Sequence, residues 1–200
     1  MACCLICFSD EPVRGSKLEQ FYGNNQQFQI GMMEAPCKAT LCCCYGSLCS
    51  CCAQYTVRKR ALDGNLDNYI CCQGYFPGCC CMKPGHCGEK SSPACCLCLE
   101  SFCCLSCAVS SSRMFIMDKY RLLPDPWDNR IIRFNNALQL LSCICNCLAI
   151  CVEELREFAR ILDLIAEIVF YTTVGCMTGQ MMHELDYQQN MAPKAEAIVR

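Results

Sequence analysis

The chain has 200 residues, enough for one domain with a sizeable core, and a net charge of -2 that gives no basic footprint for nucleic acid. Hydrophobic residues make up 54% of it, but 27 residues are cysteine. The rest of the apolar share is near that of an ordinary soluble protein, so the apparent hydrophobicity comes largely from thiols.

The N-terminal segment, residues 1–35, is predicted to be a flexible tail with a cysteine-rich tip. Its apolar run is too short for a secretory signal, so we expect a reducing compartment, in which disulfides are rare. Thiols at an apolar chain end suit S-acylation on a cytosolic membrane face. We therefore predict lipid attachment at Cys3, Cys4 and Cys7 and expect membrane lipid as a partner.

Residues 36–112 form a cysteine-rich region that contains an internal repeat. The repeat predicts two like helical segments, each with a thiol-rich face and a charged exit. Arg58-Lys59-Arg60, at the first exit, either attract anionic lipid or form a solvated helix end. The first copy contains Cys43, Cys49, Cys52, Ala53, Arg58 and Asp63, and each residue type recurs 55 positions later.

Cysteine pairs at Cys-x-x-Cys spacing occur at Cys49–Cys52 and Cys104–Cys107. If the two repeats pack together, these four thiols converge and form a candidate zinc site, with His86 as the best non-cysteine ligand. Two other interpretations stay open, because buried protonated thiols also pack as small apolar groups and His86 lies on a turn where an exposed histidine is common.

The segment 129–186 repeats apolar residues at a spacing of three and four and predicts one long amphipathic helix or a helical hairpin, capped by Asp128 or Asn129. Its two most apolar stretches, 138–152 and 168–182, each have 15 residues including polar ones, so neither predicts a clean membrane span. The range 138–182 is a candidate surface for self-association or for docking in a larger assembly. Residues 187–200 are predicted to be a polar tail.

Two small residues within that segment, Gly175 and Gly179, lie four positions apart. They either allow another helix to approach closely or are weak points of the helix.

Catalysis is not expected. The sequence has two histidines, His86 and His183, and neither has a spacing that pairs it with a nucleophilic cysteine. A phosphate-binding glycine loop, a zincin helix and a nucleophile elbow are also absent from the sequence.

The stretch 37–156 resembles the cysteine-rich placenta-specific-eight family, which includes the plant cell-number regulators. The residues that carry the resemblance are Cys49-Ser50-Cys51-Cys52, Cys71-Cys72-Gln73-Gly74, Cys104, Cys107, Arg113, Tyr120, Cys143, Cys145, Cys147 and Glu154-Leu155-Arg156. The resemblance implies a membrane-associated protein linked to cell-number control or divalent-metal handling, without defined catalytic residues. This chain lacks the family's Cys-Pro-Cys, and its last predicted helix continues past the family's usual end.

Together these patterns predict a mainly α-helical, cysteine-rich domain spanning 36–186, on the cytosolic face of a membrane, with a structural or regulatory role. A soluble structural zinc protein and a subunit of a larger assembly are the alternatives.

Overall fold

The computed structural model describes residues 17–76, 84–86 and 88–199, without the side chains of residues 132 and 192–199. Within these ranges the fold is mainly α, as predicted, and it has one isolated β-bridge, between Gln26 and Leu122. The α-helices of the described ranges are α1 (Ala35–Lys38), α2 (Thr40–Leu48), α3 (Ser50–Ala61), α4 (Pro93–Cys103), α5 (Leu105–Tyr120), α6 (Pro126–Cys151) and α7 (Leu155–Val199).

The internal repeat appears in the structure as two bent helix pairs, α2–α3 and α4–α5. Each pair breaks at a single cysteine with nearly the same backbone: φ -125°, ψ 51° at Cys49 and φ -133°, ψ 53° at Cys104. The second pair bends by 118° at this break. The repeated alanines Ala53 and Ala108 are both buried. The predicted duplication is therefore confirmed, and α3 packs against both α4 and α5.

The C-terminal third is a helical hairpin. Helices α6 and α7 are separated by a break at Val152, which leaves the helical region of the backbone, and they pack along each other. Of the two predicted forms, the hairpin is the one observed. Helix α6 starts three residues earlier than expected, because Asp125 is its cap and accepts a hydrogen bond from the Trp127 amide at 2.9 Å.

Both predicted tails differ from the structure. Phe21, Ile30 and Met32 are buried, so residues 17–35 belong to the packed domain rather than to a flexible tail. Polar composition hid this because the three apolar side chains are spread singly along the segment. At the other end, α7 continues through the predicted polar tail as far as Val199. Residues 1–16 lie outside the described residues.

Small residues allow α7 to cross very close to α2. A β-carbon placed on Gly175 would lie 2.7 Å from the backbone oxygen of Cys43, and one placed on Gly179 would lie 2.3 Å from the Cys43 sulfur. On the α2 side, a β-carbon at Gly46 would lie 2.6 Å from the β-carbon of Thr178. The spacing of Gly175 and Gly179 thus serves close helix approach.

We expect Gly175→Ala to lower the free energy of unfolding by about 1–3 kcal/mol, because the new methyl group meets a backbone oxygen that cannot move away. This loss exceeds the gain of up to about 1 kcal/mol that alanine brings to a helix. Thermal or denaturant unfolding followed by circular dichroism measures the change. Gly23→Ala, where a β-carbon meets nothing within 4 Å, is the control and should be nearly neutral. Equal stability of the two variants would contradict the close crossing.

Candidate functional site

The centre of the repeat interface is a buried guanidinium. Arg58, on α3, is fully buried at 0% exposure, and so is its partner Glu100 on α4. The Arg58 Nη2 atom lies 3.3 Å from Glu100 Oε1 and also donates to the Ala108 carbonyl at 3.2 Å and to the Ser111 hydroxyl. A single side chain therefore ties α3 to both helices of the second repeat.

Glu100 joins this interface to the Cys71-Cys72-Gln73-Gly74 turn. Its Oε2 atom accepts hydrogen bonds from the Tyr69 hydroxyl and from the Cys72 amide, each at 2.7 Å. The turn is tight, with positive φ at Cys72, Gln73 and Gly74. A second buried carboxylate, Glu89, accepts from the Cys71 amide at 2.6 Å. Two acidic side chains thus hold the turn by its backbone amides.

Burial and the Glu100 charge set the protonation states of this junction. Burial raises the pKa of the Tyr69 hydroxyl and of the Cys72 thiol, and the negative charge of Glu100 raises both further. Burial lowers the pKa of Arg58, and the charge of Glu100 opposes this. Because a thiol acts as a nucleophile only as thiolate, Cys72 is a poor nucleophile in the folded protein.

We expect Glu100→Gln to destabilise the fold by about 3–5 kcal/mol, because it leaves the Arg58 charge buried without a counter-ion. Asp186→Asn is a matched control: it makes the same change to a carboxylate that pairs with Arg60 at 2.5 Å, but this pair is partly exposed. The control should cost at most about 1 kcal/mol. Denaturant midpoints compare the two variants, and similar losses would argue against the central role of Arg58.

The junction also contains the one group of potential metal ligands found among the described residues. One ligand atom from each of Cys71, Cys72 and Glu100 lies within 4.8 Å of the other two, close enough to hold a metal ion. However, both oxygens of Glu100 already accept hydrogen bonds, including the one from the Arg58 cation. A structural zinc site takes four ligands, so a group of three with a cation beside its carboxylate suits that role poorly.

The predicted zinc ligands do not form such a group in the structure. Cys49 and Cys52 are exposed, Cys104 is buried and Cys107 is half-buried. Cys49 and Cys104 occupy the two equivalent helix breaks, and Arg58 links the two repeats. His86 is exposed on its turn, with Nδ1 3.4 Å from the Pro84 carbonyl. The lipidation candidates Cys3, Cys4 and Cys7 lie outside the described residues.

The sequence patterns did not predict the buried junction, although one of them carries a signal for it. Arg58 and Arg113 are equivalent in the repeat, and the structure buries both, with Arg113 paired to Asp128 at 2.9 Å. A basic residue retained in both copies of a thiol-rich repeat indicates a buried ion pair as well as a charged exit. Its partners, Glu100 and Asp128, have no repeat equivalents, so the repeat alone could not have identified them.

Alkylation kinetics distinguish buried thiols from metal-bound ones. With N-ethylmaleimide at neutral pH, we expect Cys71 and Cys72 to react far more slowly than the exposed Cys95 and Cys98, because they are buried and the Cys72 thiol stays protonated. Peptide mass mapping over time measures the rates. A chelator should leave these rates unchanged. A metal site would instead be indicated if chelation made Cys71 and Cys72 react faster and if the native protein were heavier than the denatured protein by the mass of zinc.

A second candidate site is the outer surface of the hairpin. Two of the described helices, α6 over Pro126–Cys151 and α7 over Leu155–Met191, are long and apolar enough to cross a membrane, although neither apolar stretch predicted a clean span. Polar residues of α6 lower its apparent hydrophobicity, but two of them pair across the hairpin: the Asn146 amide donates to both oxygens of Asp163 at 2.7 and 2.9 Å, and the buried Ser142 donates to the same carboxylate.

The inward face of the hairpin is small and closely packed, and its outward face is large and apolar. Cys145, Ala149, Ala159 and Leu162 form the seam between the helices. The large apolar side chains exposed along the hairpin include Phe134, Leu140, Leu141, Ile144, Leu148, Ile150, Val152, Phe158, Ile161, Leu164, Ile165 and Ile168. Exposed apolar surface of this extent marks an interaction site in most soluble proteins.

Helix α7 divides this outer surface into two flanks. Phe158, Ile161, Ile165 and Ile168 recur at a spacing of three and four and share one flank, and exposed charged residues share another. The charged residues of that flank are Glu157, Arg160 and Glu167, of which the first two form an ion pair at 2.8 Å, and the exposed Leu164 lies among them on the same face.

Comparisons of this chain with protein-family models, with curated proteins and with solved structures return no match.

Proposed function

We propose that the protein is a non-catalytic, membrane-associated structural or regulatory protein that binds lipid through the α6–α7 hairpin. The observation that carries the proposal is the row of large apolar side chains exposed on both helices of the hairpin. Hydrogen bonds between the two helices of the hairpin support it, because Asp163 accepts from Ser142 and Asn146, and these bonds lower the cost of taking its carboxylate out of water.

The two flanks of α7 favour a hairpin that lies in the membrane interface rather than across the bilayer. An exposed carboxylate at the centre of a span costs about 2.5–3.5 kcal/mol, and Glu167 lies among the apolar residues along the helix. In the interface, the flank of Phe158 and Ile165 faces the acyl chains while the flank of Arg160 and Glu167 faces water. Amphipathic interfacial helices have this division.

The many free thiols support placing the protein on the cytosolic side of the membrane. No disulfide joins cysteines of the described ranges, although many of these cysteines are exposed. Such thiols persist in a reducing compartment. Acylation of Cys3, Cys4 and Cys7 would strengthen attachment, since two acyl chains hold a protein on a membrane far better than one.

Liposome flotation of the purified full chain tests the hairpin. We expect the double variant Leu140→Arg/Ile144→Arg to lose most of its membrane-bound fraction, because two charges enter the lipid-facing surface at a cost of several kcal/mol. Met33→Arg, which places arginine on an apolar side chain with 59% exposure outside the hairpin, is the control and should float like the parent. Unchanged flotation of the double variant would show that the hairpin is not the membrane anchor. The N-terminal tail would then be tested as the anchor with protein purified from cells in which Cys3, Cys4 and Cys7 are changed to serine.

Two further measurements test self-association as an alternative to membrane binding and test how deeply the hairpin enters the membrane. A parent protein that fails to float but sediments as an oligomer, and becomes monomeric in the double variant, would favour self-association through 138–182. A protease site inserted between Glu153 and Glu154, at the hairpin tip, should be cleaved from the domain side of sealed liposomes if the hairpin lies in the interface. Protection of this site would indicate a hairpin that crosses the bilayer.

A structural zinc protein is the second candidate, and the closeness of Cys71, Cys72 and Glu100 is the observation that favours it. We place it second because Glu100 already neutralises Arg58 and because the predicted ligands Cys49, Cys52, Cys104 and Cys107 are not gathered. Metal content of the reduced protein, measured with the alkylation experiment above, tests it.

A further inference from the structure

The two repeats enclose an apolar cavity on the side of α3 that faces α4. Its volume is about 600 Å³, within the range of small-molecule sites in proteins. The walls come from both repeats: Cys52 and Tyr55 lie on the α3 side, and Cys95, Cys98, Leu99 and Phe102 on the α4 side. The cavity therefore exists only where the two halves of the duplication meet.

The cavity offers thiols and apolar surface but little to bind a polar ligand. The Thr56 hydroxyl donates to the Cys52 carbonyl at 2.8 Å and lies 3.4 Å from the Tyr45 hydroxyl, so the hydroxyl groups of the wall near Cys52 already have partners. An ionised side chain is absent from the described lining. A hydrogen-bonding or charged small molecule would leave its polar groups unpaired in this cavity.

The thiols of the cavity also do not form a metal site. Three sulfurs of the lining never approach one another within 4.8 Å, since the only described group that meets this limit is Cys71, Cys72 and Glu100. Thiols spread over a cavity of about 600 Å³ suit a ligand much larger than an ion. Cys52, Cys95 and Cys98 are exposed, so a reagent can reach them from the mouth of the cavity.

We infer that this cavity is an S-acylation site, in which a long fatty-acyl chain is attached to Cys52, Cys95 or Cys98 and lies in the space between the repeats. The acyl donor is a long-chain acyl-coenzyme A. The cysteine sulfur attacks the thioester carbonyl, a new sulfur–carbon bond forms, and the bond from the carbonyl to the coenzyme A sulfur breaks. Coenzyme A leaves as its thiol and takes up the proton that the cysteine has released.

The apolar mouth of the cavity explains why a long chain is preferred. Phe102 is 77% exposed and Leu99 is 52% exposed, and both line the cavity. A bound acyl chain would cover these side chains and would place its thioester next to the exposed thiols of the same helix. Each methylene group that leaves water favours binding, and about two of them are worth a factor of ten. An acetyl group is too short to gain from this burial.

Chain-length selectivity tests the inference. The full chain, purified unacylated and reduced from bacteria and held in phosphatidylcholine nanodiscs, is treated with palmitoyl-coenzyme A or with acetyl-coenzyme A. Peptide mass mapping gives the acylation of Cys52, Cys95 and Cys98 relative to exposed cysteines that do not line the cavity, Cys44, Cys49 and Cys103. We expect this ratio to be about tenfold or more higher for the palmitoyl donor. Equal ratios for the two donors would overturn the inference.

A charge in the cavity separates chain binding from thiol reactivity. Leu99→Glu should abolish the palmitoyl preference and leave acetylation unchanged, because it disfavours the acyl chain without removing a thiol. Leu48→Glu is the matched control: Leu48 is 85% exposed on α2, outside the cavity lining, and its variant should keep the preference. If circular dichroism shows that Leu99→Glu is unfolded, Phe102→Glu replaces it. If a folded cavity variant keeps the preference for the palmitoyl donor, the acyl chain does not lie in this cavity. This result is independent of the flotation of the hairpin variants, which tests membrane binding.

Discussion

The charge of Arg58, which has no access to water, determines how the halves of the cysteine-rich region come together. Burying a guanidinium costs several kcal/mol unless a counter-ion and hydrogen-bond acceptors surround it. Here the counter-ion Glu100 comes from the other repeat, and its second oxygen binds the Tyr69 hydroxyl and the Cys72 amide. The two repeats and the turn between them must therefore form together, and the apolar cavity between α3 and α4 is a consequence of that arrangement.

The thiols differ in chemistry according to their place in this fold. Cys72 is buried beside a carboxylate, and burial among neighbouring thiols raises the pKa of Cys43 to about 12 where α7 crosses α2. These sulfurs act as small apolar groups of the core. Cys95 and Cys98 instead face solvent at the edge of an apolar space. Cysteine thus serves in this fold both as a core residue and as an accessible reactive group.

Local patterns of the sequence predict the fold class, the duplication and the helical character of the last third, because these depend on spacing along the chain. The partners of buried polar groups depend on distant residues and were not predictable: Glu100 lies 42 positions from Arg58. Dependence on distant partners also explains why the sequence did not predict a membrane-spanning helix. Ser142 and Asn146 lower the apparent hydrophobicity of α6, but both form hydrogen bonds with Asp163 on the facing helix.

Helix α7 belongs to both parts of the molecule. Its first half forms the hairpin, and its second half, through Gly175 and Gly179, crosses α2 at the base of the first repeat. The 37 residues from Leu155 to Met191 span roughly 55 Å as one helix. A rod of this length fixes the angle between hairpin and domain, so a membrane that holds the hairpin also sets which side of the domain faces the lipid.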